Sequence, residues 1–348
     1  MATETGRAVA HLPIRPDWLA RRREDVLEPA LPIVDPHHHL WERPGNCYLL
    51  PDILADVGSG HNVRATVFIE AHSMYRDGGP EELRSLGETE FVTGIAAMSA
   101  SGGYGTARIA TGIVGRVDLT LGARAEGLLE RHIAVAGGRF RGVRQSTPYH
   151  ADPAARGSSA QTAPGLLADP GFRAGFACLK PLGLSFDAWM YHTQLADLVE
   201  LARAFPEQPI VLDHIGGALG IGPYAGQRDG VFRDWSARMR ALAGCPNVHV
   251  KLGGLGMPMT GFDFGTRAEP PSSSELAAAW KPYFDLCVEA FGAQRCMVES
   301  NFPVDKGMFS YAVMWNAFKR WAAGCSAADK TALFSGTAAR FYRLDLPA

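Results

Sequence analysis

The sequence predicts one α/β domain: a single (β/α)8 TIM-like barrel preceded by an N-terminal helical arm. Eight short apolar runs alternate with longer amphipathic stretches, the pattern of parallel strands joined by crossover helices. No GxGxxG follows the first run, where a doubly wound nucleotide-binding sheet would carry it. At ~150 residues per domain the chain would make about two. Barrels of this type run from roughly 200 to over 400 residues, so one barrel accommodates all 348.

Taken in order, residues 1–30 read as the arm and 31–348 as the barrel. Trp18–Glu28 (WLARRREDVLE) is charged and helix-compatible, and Pro29 and Pro32 bracket its end. Strands are expected at Ile33–Asp35, Ala65–Glu70, Ile113–Leu119, Phe140–Arg144, Leu184–Trp189, Ile210–Asp213, Val248–Leu252 and Cys296–Glu299. Helices are expected at Glu81–Ala97, Gly122–Ala136, Thr193–Phe205, Phe232–Leu242, Ser274–Phe291 and Tyr311–Ala322. Phe91–Met98 has the composition of a ninth strand, but EELRSLGETEF leads into it without a turn signal, so it is assigned to a helix. Two long loops of small residues, Thr147–Pro170 and Gly253–Ser274, follow strands at the rim where barrels build their sites, and are lid candidates.

Composition narrows the function. A chain 47% hydrophobic and 20% charged can bury a large core and is not disordered. Its 34 Lys+Arg against 36 Asp+Glu leave a net charge of -2, which removes the main reason to expect nucleic-acid or anionic-membrane partners. No apolar run approaches the ~20 residues of a membrane span, and the first residues lack a secretory pattern. Six scattered cysteines without a CxxC pair point to reduced, partly buried thiols. A cytoplasmic protein with a small-molecule substrate is expected.

The strongest chemical signal is Val34-Asp35-Pro36-His37-His38-His39-Leu40-Trp41 at the end of the first strand. Alternate residues of an extended chain share a face, so His37 and His39 point the same way and can bind one divalent ion or grip one oxyanion. A second signal, LDHIGG at 212–217, puts His214 where the sixth strand leaves the barrel, with glycines that let backbone approach a ligand. The third is CMVESNFPVDK at 296–306, where Met297, Glu299 and Asn301 share one face. A carboxylate there needs a cation or proton donor, and an ion pair between Glu299 and Arg144 competes with a catalytic role. Of Arg141 and Arg144 in RFRGVR, alternation lets one reach the mouth, where its fork suits a carboxylate. Lys251 ends the seventh strand and either holds substrate or pairs with Glu299 inside the barrel. His72, His192 and Trp41 are further substrate contacts.

These motifs in this order, DPHHHLW at 35–41, RGVR at 141–144, LDHIGG at 212–217, VKLGGL at 250–255 and ESNFPVDK at 299–306, resemble the amidohydrolase superfamily. Within it they resemble amidohydrolase family 2, a branch of lactonases and decarboxylases. The resemblance runs from about Ile33 to the C-terminus. It implies a barrel with His37, His39 and His214 in the active site, holding a divalent metal, zinc first, although some lactonases of the branch work without one. It also implies a homodimer. The family's last strand usually ends in an Asp that acts as base or ligand, and here Asn301 stands in that place. An amide cannot take a proton at neutral pH, so base function moves to Glu299 first and Asp305 second. The fifth strand also lacks a histidine at its end unless His192 reaches back.

The leading expectation is hydrolysis of a small carboxylate-bearing lactone. Arg141 or Arg144 would hold the acid, the three histidines would polarise the carbonyl, and Glu299 would accept the water's proton. Non-oxidative decarboxylation of an aromatic or unsaturated acid is the second reading. A catalytically inactive barrel that binds a small acid is the third, kept alive by Asn301 and opposed by the retained histidines.

Overall fold

The computed structural model of the protein describes residues 12–157 and 162–346, so residues 1–11 of the expected arm and 158–161 of the first long loop lie outside it. The barrel strands are β1 (Ile33–His38), β2 (Val63–Ile69), β3 (Arg108–Gly115), β4 (Phe140–Arg144), β5 (Ser185–Ala188), β6 (Ile210–Leu212), β7 (Val248–Leu252) and β8 (Cys296–Val298). All neighbours are parallel and in chain order, the arrangement of a (β/α)8 barrel. Just past β8 the ring comes close to closing on β1: Asn301 N donates to His37 O at 2.9 Å and His39 N to Phe302 O at 2.8 Å. That seam aligns the two strands carrying the strongest sequence motifs.

One α-helix follows each strand on the way to the next: α1 (Leu50–Val57), α2 (Leu86–Ala100), α3 (Ala125–Val135), α4 (Pro170–Phe176), α5 (Leu195–Ala204), α6 (Arg228–Ala243), α7 (Ser273–Phe291) and α8 (Tyr311–Trp321). Their starts follow ordinary capping chemistry. Ser272 and Glu275 form a reciprocal capping box on α7, and Asp169 accepts from Phe172 N at 2.8 Å on α4. Phe91–Met98 lies inside α2, as the absence of a turn signal predicts.

Several boundaries differ from expectation. The arm's helix is one turn, Pro16–Leu19, rather than Trp18–Glu28. Its following peptide groups are claimed by the barrel's outer helices: Asn316 Oδ1 accepts from Leu27 N, and Lys319 Nζ donates to Leu27 O and Glu28 O. Strand β3 starts at Arg108 and stops at Gly115, not Leu119. Ala110 takes a positive φ of 52° there, at a register shift against β2, and this irregularity breaks the alternation a strand pattern needs. Helices α1 and α4, the Trp41–Arg43/Asn46–Tyr48 hairpin and the helical segments over 327–341 are additions. Each is too short to show a helical period in sequence.

Packing divides the barrel into two regions. Outward side chains such as Phe68, Ile113, Phe186, Leu212 and Leu252 form one core with Phe172, Trp235, Trp280 and Phe284 of the helices. Inside, Val34, Val67, Val114, Val211 and Met297 meet Phe341, Tyr342 and Leu344 of the C-terminal segment. This segment plugs the floor, and the polar side chains collect above it toward the C-terminal mouth. All six cysteines are free, and no helix of the described residues is long and apolar enough to cross a membrane.

Tyr342 joins the two interior zones, since its ring is fully buried and its hydroxyl donates to Asp187 Oδ2 at 2.6 Å. Tyr342→Ala should cost about 3–5 kcal/mol in urea denaturation, the range for truncating a buried aromatic. A loss below ~1 kcal/mol would show that the plug does not close the floor.

Candidate active site

Above the floor, side chains from β1, β2, β4, β5, β6, β7 and β8 converge. Alternation brings His37 and His39 inward, while His38 turns out to pair with Thr66 Oγ1 at 2.8 Å beside Phe68. His37 Nε2 and His39 Nε2 are 3.2 Å apart, and His39 Nδ1 lies 2.8 Å from Ile69 O. A carbonyl only accepts, so His39 carries its proton on Nδ1 and presents a lone pair at Nε2 toward His37.

His214 enters from a strained turn. It and Ile215 both have positive φ, 54° and 50°, a conformation that costs a non-glycine residue about 1–3 kcal/mol. Glu299 holds the turn by accepting from His214 N at 3.1 Å and from Nδ1 at 2.6 Å, both on Oε1. The glycines of VKLGGL make room for this. A Cβ at Gly254 would stand 2.5 Å from His214 Cβ, and one at Gly253 would stand 2.4 Å from Glu299 Cγ. The other oxygen of Glu299, Oε2, is 2.9 Å from His37 Nδ1 yet has no aligned hydrogen-bond donor.

Beneath the histidines lies a layer of ion pairs. Lys251 Nζ contacts Asp187 Oδ2 at 2.7 Å, Asp213 Oδ1 at 3.0 Å and His37 Nδ1 at 3.0 Å. Arg144 donates through Nε to Glu70 Oε1 at 2.9 Å and through Nη2 to Glu70 O. Its Nη1 lies 3.4 Å from His37 Nε2 and 3.8 Å from Asp213 Oδ2. Burial, reinforced by Lys251 beside His37 and by Arg144 beside His39, holds both rings far below the ordinary histidine range, hence neutral. Burial would raise Glu299, but His214 and His37 outweigh it and keep the carboxylate ionised.

His37, His214 and Glu299 are fully enclosed, with one donor atom from each lying within 4.8 Å of the others. Two imidazoles and a carboxylate with an orphaned buried oxygen make a donor set that suits a borderline divalent cation. The charge balance agrees: Glu70, Asp187, Asp213 and Glu299 face only Arg144 and Lys251 among the ion pairs of the cluster. Asp305 stands next to this group. Asn301 Nδ2 donates to its Oδ1 at 2.8 Å and Gly256 N to its Oδ2 at 2.9 Å, and burial lifts its pKa to about 7. At the mouth Trp41 stacks on His39 and Trp189 meets His214 edge-on, with ring centroids 5.7 and 4.9 Å apart.

Several sequence expectations are corrected in detail. The compact group adds Glu299 to His37 and His214, and His39 flanks it with Nε2 3.2 Å from His37 Nε2. Arg144 pairs with Glu70 rather than Glu299, and Lys251 with Asp187 and Asp213. Arg141 lies near the start of β4, donating to Gly138 O and Phe140 O beside Arg343, away from the histidines. His192 sits under the loop after β6, where it accepts from Leu219 N at 3.3 Å and meets Tyr224 edge-on. His72 is at the rim, 3.2 Å from Glu70. Glu70, Asp187 and Asp213 escaped sequence reasoning. Each is an acidic residue at or inside an apolar strand, and asking what neutralises buried Arg144 and Lys251 would have found them.

Replacing Lys251 with Met should destabilise the protein by about 3–5 kcal/mol in urea denaturation, because Asp187 and Asp213 would be left buried without their cation. A loss under ~1 kcal/mol would show that neither carboxylate depends on it.

The family model described as "Amidohydrolase" matches residues 34–344, essentially the whole barrel. The uncharacterized protein y4mH of Sinorhizobium fredii is 33% identical over 334 residues, covering 90% of this chain and 98% of that protein. An L-fucono-1,5-lactonase of Burkholderia multivorans is 30% identical over 331 residues, covering 90% and 97%. A crystal structure of an amidohydrolase from the same species with bound zinc superposes with a TM-score of 0.69 at 28% identity, covering 90% of this chain and 99% of the other. The chain belongs to the amidohydrolase family and is a hydrolase of that family.

Proposed function

We propose that the protein opens a small lactone to its hydroxy acid by adding water at the ester carbonyl. The observation that carries this is the buried group in which one Glu299 carboxylate spans His214 and His37 beside Arg144. The relative named L-fucono-1,5-lactonase supports the lactone class. Arg144 and Lys251, the cations that touch His37, are both committed to internal carboxylates. This favours a neutral sugar-acid lactone over a carboxylate-bearing one. Trp41 beside His39 and Trp189 beside His214 give the mouth an apolar lining suited to the C–H groups of such a ring.

His37, His214 and Glu299 would hold a divalent cation, zinc by donor type, which supplies Lewis-acid polarisation of the carbonyl when bound. Arg144, locked by Glu70, presents Nη1 toward His37 and stabilises negative charge developing on the carbonyl oxygen. Glu299 is a poor base, because both imidazole neighbours favour its ionised form. Asp305 is the better proton acceptor, oriented by Asn301 and Gly256 with a pKa near neutrality. The residue that departs from the family pattern, Asn301, then aims the group that replaces it. The same reading keeps a small-molecule substrate, residues 1–30 as an arm outside the catalytic barrel, and a homodimer.

Elemental analysis of protein purified without a histidine tag should find about one divalent ion per chain, and His214→Ala should lose it. A clean zero with chelator-insensitive turnover would remove the metal from this reading. For Asp305→Asn, kcat on a sugar δ-lactone should fall about 10²–10⁴-fold with the ion retained. Because the ionised carboxylate is the acceptor, wild-type kcat should rise as pH increases through about 7 and level off above it. The variant should lack that limb, and an unchanged profile would assign the base elsewhere.

A further inference from the structure

A general base works at full rate only where its carboxylate is held on line with the water it activates. Asp305 opens a short helical turn, Asp305–Gly307, and Lys306 fixes one flank of it by donating from Nζ to Asp56 Oδ2 of α1 at 2.7 Å. The N-terminal arm meets the turn at Gly307. A β-carbon built there would stand 2.4 Å from Leu12 Cβ, and its three nearest atoms all belong to Leu12. Gly307 is not in the left-handed region, so its missing side chain answers to the arm and not to the backbone. The arm also holds the loop between β7 and α7, whose Gly256 N donates to Asp305 Oδ2 at 2.9 Å. The front of that loop is pinned by the segment after β6, with Gly220 N donating to Met259 O and Arg228 Nη2 to Gly261 O. Its back half is claimed by arm side chains. Arg15 donates to Gly265 O, Trp18 Nε1 to Arg267 O at 3.0 Å and Ala268 O at 3.1 Å, and Arg22 Nε to Pro270 O at 3.2 Å. Glu24 Oε1 accepts from Ser273 N at 2.8 Å where the loop enters α7. Gly265 joins the two contacts: its N donates to Met308 Sδ, and a β-carbon there would stand 2.7 Å from Leu12 Cδ1.

We propose that Trp18 is a positioning residue for Asp305: it fastens the arm along the loop after β7, and the arm in turn backs the Asp305–Gly307 turn through Leu12. This rests on the reading of Asp305 as the base. Trp18 is the buried centre of the arm's row of donors, 6% exposed, with the Arg15 guanidinium 4.1 Å over its ring. Its indole N–H serves two successive carbonyls that strand pairing leaves open, because residues 267 and 268 belong to no strand or helix. Lifting the arm frees Asp305 from two directions at once. The Gly256 donor loses the anchor at the far end of its loop, and the turn loses the wall behind Gly307. His37, His214 and Glu299 are held by contacts among β1, β6, β7 and β8 and do not depend on the arm. The expected defect is therefore one of aim, with the donor cluster and its hold on substrate intact.

The test is a double-mutant cycle in the full chain, assayed on a neutral sugar δ-lactone. We expect Trp18→Ala to lower kcat about tenfold, with KM within about twofold and the ion content of wild type. In an Asp305→Asn background, where no base remains to be aimed, Trp18→Ala should change kcat by less than about twofold. Gly307→Ala lifts the arm from its other end, so its loss of kcat should match that of Trp18→Ala and the two should not add. Amide hydrogen exchange over residues 254–258 should quicken in both variants. An equal fall in both backgrounds marks a general structural loss and overturns the proposal. So does a kcat within about twofold of wild type in both arm variants, or unchanged exchange over 254–258. Should Trp18→Ala fail to fold, Gly307→Ala carries the same comparison. Asp305→Asn at wild-type kcat overturns the base assignment, and this role with it. Wild-type protein with no turnover on sugar δ-lactones overturns the lactonase reading instead, and the exchange comparison then decides by itself whether the arm holds the Asp305 turn.

Discussion

One carboxylate organises the mouth of this barrel. Glu299, just past β8, accepts from both the backbone and the ring of His214 after β6 and touches His37 at the end of β1. Three strands far apart in sequence are thereby joined at one buried anion. The left-handed turn at His214 and Ile215 persists because Glu299 and Trp235, which donates to Ile215 O at 2.7 Å, over-determine it. Gly253 and Gly254 are required by the same anion, since a side chain at either would collide with Glu299 or His214. The motifs LDHIGG, VKLGG and ESN are therefore one packing solution seen at three places in the chain.

A second constraint sits directly below. Lys251 is fully buried and survives as a cation only because Asp187 and Asp213 flank it; burial alone would lower its pKa, and the two carboxylates raise it. Tyr342 closes the layer from the floor through Asp187, with Lys251 Nζ 5.5 Å over its ring. The C-terminal segment thus has an electrostatic role as well as an apolar one. It separates a hydrophobic floor from a layer in which every charge needs a partner.

The sequence shows the barrel and the cluster of histidines through simple periodicities. Period-2 alternation places His37 with His39 and Met297 with Glu299, and strand–helix alternation orders the sheet. It does not show which charges meet, because partners such as Arg144 and Glu70 lie 74 residues apart and pair only after the ring forms. Alternation also left Arg141 and Arg144 undecided, and the answer came from depth along the strand rather than from face. The missing Asp at position 301 was visible, but its consequence was not. Asn301 donates to Asp305 across a turn whose course no local pattern encodes.

His37 shows why the cation and the ion-pair layer must be understood together. Its Nδ1 lies 3.0 Å from Lys251 Nζ, 2.9 Å from Glu299 Oε2 and 3.6 Å from Asp213 Oδ1, and only the lysine is a donor. With Lys251 donating, the proton of His37 lies on Nε2 toward His39, whose own proton runs to Ile69 O, and a lone pair of His37 becomes available to a cation only if Lys251 withdraws from Nδ1. In that arrangement Glu299 Oε2 faces a lone pair, a contact that a cation, or a proton moved to Nδ1, relieves. A cation held at Glu299 would therefore compete with Lys251 for one imidazole and be repelled by it. Asp187 and Asp213 decide the contest by drawing Lys251 charge toward the floor. The charge balance of the mouth is set one layer down, where Asp187 and Asp213 hold Lys251.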